Sequence, residues 1–180
     1  MKNVLIPVLF FNLIACTSET QIDLSGKKYS EKKIISILKN KQNTEIITLN
    51  KTKASDTTLI FLKSFTNLKE LYLAQTLISD HGLLEGLTKI STLTSLDLLD
   101  TKITDTGLKE VVLSNRNLSF LDLTDTDVTD EIVSSLLELK ELKAINLINT
   151  DCSIKTVNKL KIKFPFCKIT LSEGLKIITF

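Results

Sequence analysis

The sequence predicts an α/β fold made of one short strand–helix unit repeated along the chain, and three observations support this prediction. The pattern LxxLxLxxT, in which x is any residue, occurs at residues 68–76, 93–101, 118–126 and, with Ile in the second apolar place, 142–150. The copies are 24 or 25 residues apart, a spacing typical of repeat proteins. The 180 residues include only five Gly and two Pro, too few turn residues for a β-sandwich.

The apolar part of each copy predicts a short buried strand. The third apolar position falls at residues 24, 49, 73, 98, 123, 147 and 171. Weaker copies flank the four clear ones, with Thr44, Ile47, Leu49 and Thr52 before them and Phe166, Ile169 and Leu171 after them. Because a helix separates each strand from the next, we expect seven parallel strands joined by crossover connections.

The second part of each unit predicts a helix. Ser or Thr followed by Asp recurs at 79–80, 104–105 and 129–130, and such a hydroxyl can accept a hydrogen bond from a free N–H of the first helical turn. The neighbouring Asp places negative charge at the positive end of the helix dipole. Apolar residues follow at helical spacing, as at Leu59 and Leu62, so each helix is expected to pack one face on the strands.

The whole unit resembles the leucine-rich-repeat family, in particular its cysteine-containing and ribonuclease-inhibitor-like branches, whose units read LxxLxLxxCxxITDxGL. The resemblance covers residues 22–171 and implies a right-handed solenoid of about seven repeats, with a curved parallel sheet on the concave side and helices on the convex side. The sequence departs from that branch where Cys or Asn is common, and carries instead Thr52, Thr76, Thr101, Thr126 and Thr150. A threonine hydroxyl can still bond the adjoining turn. The lysine-rich first unit and residues 172–180 are expected to cap the two ends.

Residues 1–15 have the layout of a signal peptide. Their apolar run, from Val4 to Ile14, is shorter than the about 20 residues that a membrane-spanning helix needs. The end of this run, Leu13 to Cys16, resembles the bacterial lipobox. That resemblance implies that Cys16 becomes the lipidated first residue, that residues 16–21 form a polar tether, and that the absence of Asp at position 17 favours the outer membrane. The alternative is a buried N-terminal strand with an incidental cysteine.

Composition excludes several kinds of chemistry. The net charge of +2 removes the main electrostatic argument for nucleic-acid binding. One His and three Cys are too few ligands for a zinc cluster. We therefore expect no catalytic residue, no metal site and no cofactor.

Two short motifs suggest catalysis but have simpler explanations. Residues 105–107 spell the DTG of aspartic proteases, whose chemistry needs two carboxylates that share a proton. His81 lies inside a predicted helix start, with no nucleophile beside it. Asp105 belongs instead to a column of helix-start acids that also contains Asp56, Asp80 and Asp130.

The two later cysteines are expected to be unbonded. Cys152 occupies the buried slot that follows the threonine position, and Cys167 begins the last strand. In the repeat geometry one precedes a strand and the other lies beyond the end of the neighbouring strand. Their Cα atoms should therefore lie farther apart than the about 7 Å that a disulfide tolerates.

The outward-facing strand residues form the candidate binding site. Asp97 is expected beside Asp122, and Asp100 beside Asp125, on strands about 4.8 Å apart, where facing like charges destabilise a sheet. Three interpretations remain open: a tolerated solvated face, a site for a basic partner, and a calcium site. Four aspartates on a gently curved face would hardly surround an ion that takes about six to eight oxygen ligands.

Apolar residues on the same face are candidate anchors for a partner. Together with the acids, the predicted partner-binding residues are Tyr72, Asp97, Leu99, Asp100, Phe120, Asp122, Asp125, Asn146 and Ile148. The charge is also patterned along the chain, since residues 20–65 carry +5, residues 66–139 carry −8 and residues 140–180 carry +5. Such a field can steer a partner towards the acidic middle or orient the basic ends on anionic lipid.

These features predict a lipid-anchored, extracytoplasmic protein of the bacterial cell envelope, at the outer membrane or the cell surface, that binds a protein or other macromolecule with a basic patch. An alternative is a metal-dependent carbohydrate-binding protein or enzyme that uses the acidic face. A second alternative is an intracellular adaptor like the eukaryotic relatives of this repeat branch.

Overall fold

The computed structural model describes residues 20–173 and 176–180 and has the predicted solenoid fold. The proposed signal peptide and Cys16 lie outside these residues. One eight-stranded sheet runs in sequence order, and each strand pairs with the next. The strands are β1 Gln21–Asp23, β2 Ile46–Thr48, β3 Glu70–Tyr72, β4 Ser95–Asp97, β5 Phe120–Asp122, β6 Ala144–Leu147, β7 Lys168–Glu173 and β8 Lys176–Thr179.

Helices connect the parallel strands on one side of the sheet. They are α1 Glu31–Leu38, α2 Asp56–Leu62, α3 Asp80–Glu85, α4 Asp105–Ser114, α5 Val133–Leu136 and α6 Ile154–Lys163, with short 3₁₀ segments at Leu87–Lys89 and Asp130–Ile132. Strands β1 to β7 are parallel, as predicted, whereas β8 turns back antiparallel to β7. No helix in the described ranges is long and apolar enough to cross a membrane.

The core lies between the sheet and the helices and is built from equivalent residues of successive units. Leu71, Leu96 and Leu121 are register partners on adjacent strands, and each is almost fully buried. Burying a leucine side chain stabilises the fold by about 1.5–3 kcal/mol. Because a single unit exposes one side of these leucines, the units are stable only when they stack.

The threonine column closes the turn after each strand. The buried hydroxyls of Thr76, Thr101 and Thr126 donate to the carbonyls of Leu73, Leu98 and Leu123, each at 2.6 Å. Threonine therefore does the hydrogen bonding that the fold needs at this slot, as expected where the sequence departs from the cysteine-containing pattern.

A column of carboxylates joins each unit to the next at the helix starts. The carboxylate of Asp80 accepts from the N–H of Thr104 at 2.8 Å and from its hydroxyl at 2.6 Å. Glu31 begins the column by accepting from Ser55 and Thr58. The same pairing recurs from Asp56 to Ser79, from Asp105 to Thr129 and from Asp130 to Ser153. We call this column the aspartate ladder.

The ladder changes the expected role of the helix-start hydroxyls. Thr104 and Thr129 accept a hydrogen bond from their own first turn, as predicted, and Ser153 does the same. Ser55 and Ser79 do not, and their hydroxyls donate to the carboxylate of the preceding unit. The predicted capping is therefore wrong at Ser79. Donation to the preceding unit is common to all five hydroxyls, so it does not by itself prevent capping.

The last unit is irregular. Phe166 was predicted at the first buried apolar position, but it is 99% exposed and Cys167 takes the buried place instead. One residue separates Cys167 from Ile169, whereas two separate Leu142 from Ile145 in the unit before. The connection is one residue shorter, so Phe166 is displaced outward.

Both described cysteines are free. Cys152 and Cys167 are buried, and burial raises the pKa of each thiol to about 11. They therefore behave as small apolar core residues.

Candidate functional site

The face of the sheet opposite the helices presents three rows of side chains, and we call it the concave face. Its rows follow from strand alternation, because residues on either side of a buried leucine point the other way. The middle row is Thr48, Tyr72, Asp97, Asp122, Asn146 and Thr170. The outer rows are Ile46, Glu70, Ser95, Phe120, Ala144 and Lys168 on one side and Asn50, Ala74, Leu99, Thr124, Ile148 and Ser172 on the other.

The predicted pair of acids is present in the middle row. Asp97 and Asp122 are direct register partners on β4 and β5. Burial raises the pKa of Asp97 to about 6; the charge of Asp122 adds to this effect, and a hydrogen bond from the N–H of Leu99 opposes it. The ionised Asp97 carboxylate therefore destabilises the folded state at neutral pH, and the carboxylate becomes protonated in mildly acidic solution.

Asp122 has more hydrogen-bond donors around it. It accepts from the N–H of Thr124 at 3.0 Å and from the side-chain amide of Asn146 at 2.7 Å. Two buried oxygens farther along the described row have no hydrogen-bond partner, the amide oxygen of Asn146 and the hydroxyl of Thr170. The two carboxylates of the row accept hydrogen bonds and donate none, a property that suits a donor-rich cationic group.

Two aromatic side chains lie near the acids on the concave face. Tyr72 precedes Asp97 in the middle row, and Phe120 lies in an outer row, on the same strand as Asp122. The hydroxyl of Tyr72 donates to Glu70 at 2.6 Å; burial, and next this hydrogen bond, raise the pKa of Tyr72 to about 12. Its hydroxyl is thus held by the protein, and its ring remains half-buried in the row. Phe120 is 42% exposed, so its ring is open to a partner.

Two of the other predicted anchors are less prominent. Leu99 and Ile148 lie in the third row and are half-buried. They lie on either side of the polar Thr124 in this row. These residues form a shallow apolar border to the acids.

Asp100 and Asp125 lie beyond the strands, in the turns that leave the sheet. Both have a left-handed backbone, with φ of 51° and 56°. The equivalent residues in other units share this conformation: Gly26, Lys51, Gln75 and Asn149. Asp and Asn adopt it at lower cost than most residues, so turn geometry by itself accounts for acids at these two positions. This argument does not apply to Asp97 and Asp122.

The motifs that suggest catalysis are explained by the fold. Asp105 accepts from the N–H and hydroxyl of Thr129 as part of the aspartate ladder. His81 is exposed in the first turn of α3. No group of three or more His, Cys, Asp or Glu within residues 20–173 and 176–180 could hold a metal ion.

Sequence reasoning brought Asp97, Asp122 and Asn146 together correctly, but it missed two features. The aspartate ladder was visible as a spacing of 23 or 24 residues between each Asp and the next helix-start hydroxyl, although the spacing does not give the direction in which the carboxylate points. The exposure of Phe166 had no signal in the sequence, because Phe166, Ile169 and Leu171 keep the full apolar spacing of the repeat.

Comparison with known proteins supports the repeat assignment. A family model described as Leucine Rich repeat matches residues 89–112 and 114–137. No curated protein matches the chain.

Three of the solved structures that are similar to this chain illustrate the shared fold. A leucine-rich-repeat protein of Leptospira interrogans is 17% identical over 79% of this chain, with a TM-score of 0.54, and this chain spans only 34% of its length. Internalin C2 of Listeria monocytogenes is 18% identical over 85% of this chain and 80% of its own, with a TM-score of 0.55. The leiomodin-1 actin-binding site 2 is 18% identical over 82% of this chain and 79% of its own, with a TM-score of 0.50.

Proposed function

We propose that this leucine-rich-repeat solenoid is a lipid-anchored, extracytoplasmic protein-binding module that binds a macromolecule with a basic patch on its concave face. The observation that carries the proposal is the middle row of that face, where Asp97 and Asp122 are register partners beside the aromatic ring of Tyr72. Facing carboxylates weaken a sheet, so the sheet itself gives no reason for the pair.

The fold is suited to binding rather than to reaction chemistry. A solenoid presents an extended face on which residues of many units meet one partner. One structural neighbour is named for an actin-binding site. At this level of identity the neighbours support the fold, and the partner of this chain has to be inferred from its own surface.

The aromatic and the acidic residues of the concave face would contribute to binding in different ways. Phe120 and Tyr72 provide rigid rings, the kind of side chain that often dominates binding energy. Asp97 and Asp122 provide negative charge that attracts a basic partner and disfavours an acidic one.

The anchor is proposed at Cys16. The apolar run that ends at Ile14 and the Ala15–Cys16 pair support lipidation. More than one acyl chain would hold the protein stably, since each buried CH₂ contributes about 0.8 kcal/mol. Mass spectrometry of the N-terminal peptide tests this, and an unmodified Cys16 in membrane-associated protein would contradict it.

A cross-linked pull-down from cell envelopes tests the concave-face proposal. The test variant carries Tyr72→Ala, Asp97→Ala, Phe120→Ala and Asp122→Ala. A matched control carries Leu77→Ala, Asp127→Ala and Asp151→Ala, three exposed residues in turns outside the concave face. We expect one partner to be captured by the wild type and the control and lost from the test variant. Equal capture by a folded test variant would contradict the proposal.

A further inference from the structure

All parallel strands of a sheet begin at the same edge, and the turns that lead into β2 to β7 therefore form one continuous surface. These turns are residues 39–45, 63–69, 86–94, 115–119, 137–143 and 164–167. We call this surface the strand-entry edge. Its counterpart, the strand-exit edge, consists of the turns at 24–30, 49–55, 73–79, 98–104, 123–129 and 148–153.

The two edges differ in charge. The strand-entry edge carries eight Lys or Arg and three Glu, a net +5, whereas the strand-exit edge carries five Lys and four Asp, a net +1. All eight cations of the strand-entry edge are exposed: Lys39, Lys41, Lys63, Lys69, Lys89, Arg116, Lys140 and Lys143. Three of these cations pair with the three glutamates of the same edge, through Lys69–Glu45, Arg116–Glu138 and Lys143–Glu141.

Large apolar side chains protrude at one end of the strand-entry edge. Phe166 is 99% exposed, because the shortened connection of the last unit displaces it outward. Ile162, in the last turn of α6, is 83% exposed. Exposed lysines lie on either side of Ile162 in the chain, at Lys159 and Lys163.

We propose that the strand-entry edge binds the anionic headgroups of a lipid bilayer, with Phe166 and Ile162 inserted at the interface. A surface with apolar side chains beside several lysines gains from both parts of such a bilayer, the negative headgroups and the acyl boundary. A protein partner suits this surface less well, because lysine is depleted at protein interfaces. The apolar side chains also protrude, so they can enter a bilayer without requiring a pocket in a partner.

The start of the described chain lies at the same edge. The carbonyl of Thr20 accepts hydrogen bonds from the N–H groups of Glu45 and Ile46, where β2 begins. The described chain therefore enters the solenoid at its strand-entry edge, four residues after the proposed lipid attachment at Cys16 in the sequence. A lipid on Cys16 and the Phe166 contact would then face one bilayer, and the concave face would stand to the side of it, open to a partner.

The absence of tryptophan from the chain permits a site-specific test. Full-length protein with Phe166→Trp has its single tryptophan at the proposed contact, and Leu77→Trp has its single tryptophan on the strand-exit edge, where Leu77 is 65% exposed. Both variants carry Cys16→Ser, so lipidation does not contribute. Both also keep the apolar run of residues 4–14, so any contact made by that run is common to the two proteins.

Each protein is mixed with vesicles of phosphatidylcholine alone or of phosphatidylcholine with phosphatidylglycerol. We expect the emission of Phe166→Trp to shift to shorter wavelength and to be quenched by brominated acyl chains, with anionic vesicles only. Leu77→Trp should show neither change. Equal responses of the two proteins, or a Phe166→Trp response that does not depend on anionic lipid, would overturn the proposal.

A second comparison tests the charge. In the Phe166→Trp protein, changing Lys39, Lys41, Lys63 and Lys89 to Gln should lower the vesicle partition constant on the order of 1,000-fold, because each lysine near an anionic surface contributes to binding. Changing Lys27, Lys28, Lys51 and Lys53 of the strand-exit edge to Gln is the matched control and should have a much smaller effect. If both sets of substitutions lowered the vesicle partition constant equally, the result would contradict a particular role of the strand-entry edge.

A third comparison distinguishes an anionic lipid bilayer from a soluble acidic partner. Soluble polyglutamate should leave the Phe166→Trp emission unchanged, because it offers charge without an apolar interface. A response to polyglutamate and not to vesicles would overturn the membrane assignment in favour of an acidic protein. This outcome is independent of the concave-face proposal, whose pull-down variants leave the strand-entry edge intact.

Discussion

Asp97 and Asp122 are identical side chains on adjacent strands, and the sheet places them in different surroundings. Asp122 accepts a backbone and a side-chain hydrogen bond, while Asp97 accepts one from the N–H of Leu99. Burial raises the pKa of Asp97 to about 6, above its ordinary value of 3.8. A raised carboxyl pKa means that the folded state binds the proton more tightly than the unfolded state, so the Asp97 contribution to stability becomes less favourable as pH rises through about 4 to 6.

Asp97→Asn should therefore stabilise the protein at pH 7.5 and have little effect at pH 4. The asparagine oxygen can keep the hydrogen bond from Leu99 while the buried charge is removed. Urea unfolding of wild type and variant at the two pH values measures the difference, and Asp127→Asn, at an exposed turn position, is the control. A variant that is less stable than the wild type at pH 7.5 would show that the charge is favourably paired.

The aspartate ladder also acts at the scale of single residues. In the wild type, Asp80 accepts two hydrogen bonds from Thr104 in the next unit. Asp80→Ala should lower the free energy of unfolding by about 1.5–3 kcal/mol, the range for a hydrogen bond to a charged group. Chemical denaturation of this variant beside Asp127→Ala provides the measurement. Equal stability of the two variants would mean that the ladder contributes nothing measurable.

At the scale of the secondary-structure elements, the helix start is shaped by the residue two places after the position that Asp56, Asp80, Asp105, Asp130 and Ile154 share in their units. In α3 and α4 this residue is Gly82 or Gly107, and a Cβ on Gly107 would lie 2.5 Å from the carboxylate oxygen of Asp80. In α2 and α6 it is Thr58 or Thr156, whose hydroxyl bonds the carboxylate of the preceding unit. Before α5 the residue at this position is Ile132, and the helical segment there begins with the 3₁₀ turn Asp130–Ile132.

Gly107→Ala should destabilise the protein although alanine is the better helix former. The new methyl would meet the Asp80 carboxylate and also the Asp80 Cα at 2.8 Å, which cannot move as a side chain can. Overpacking of this kind costs about 1–3 kcal/mol, more than the about 1 kcal/mol gained in helix propensity. Thermal unfolding compares it with Thr106→Ala, an exposed neighbour in the same helix. A higher melting temperature for Gly107→Ala would show that the close approach is absent.

At the scale of the whole molecule, stability depends on an uninterrupted stack of units. The ladder ends at Ile154, which takes the Asp slot in the last unit, where no further unit follows. The sheet ends at β8, which pairs antiparallel with β7. The amino group of Lys161 donates to the carbonyls of Pro165 and Cys167 and closes the last turn. These features together form a C-terminal cap.

Leu98→Ala, in the centre of the stack, should cost about 2–5 kcal/mol, because the side chain is fully buried between neighbouring units. In a short array the loss can also uncouple the two halves, which would lower the denaturant m-value. Urea unfolding followed by circular dichroism measures both quantities, and the half-buried neighbour Leu99→Ala is the control. A loss of less than about 1 kcal/mol would contradict the assigned strand register.

The amino-acid sequence was sufficient to predict the repeat, its strands, its helices and the neighbours Asp97 and Asp122. A period of 24 or 25 residues can place equivalent residues beside each other only if the units stack in register. The directions in which side chains point between units became known only from the folded chain. The carboxylate of Asp80 bonds the next unit, Asp100 adopts a left-handed turn, and one missing residue expels Phe166 from the core. These outcomes depend on backbone angles and on contacts between units, which the apolar pattern of one chain does not encode.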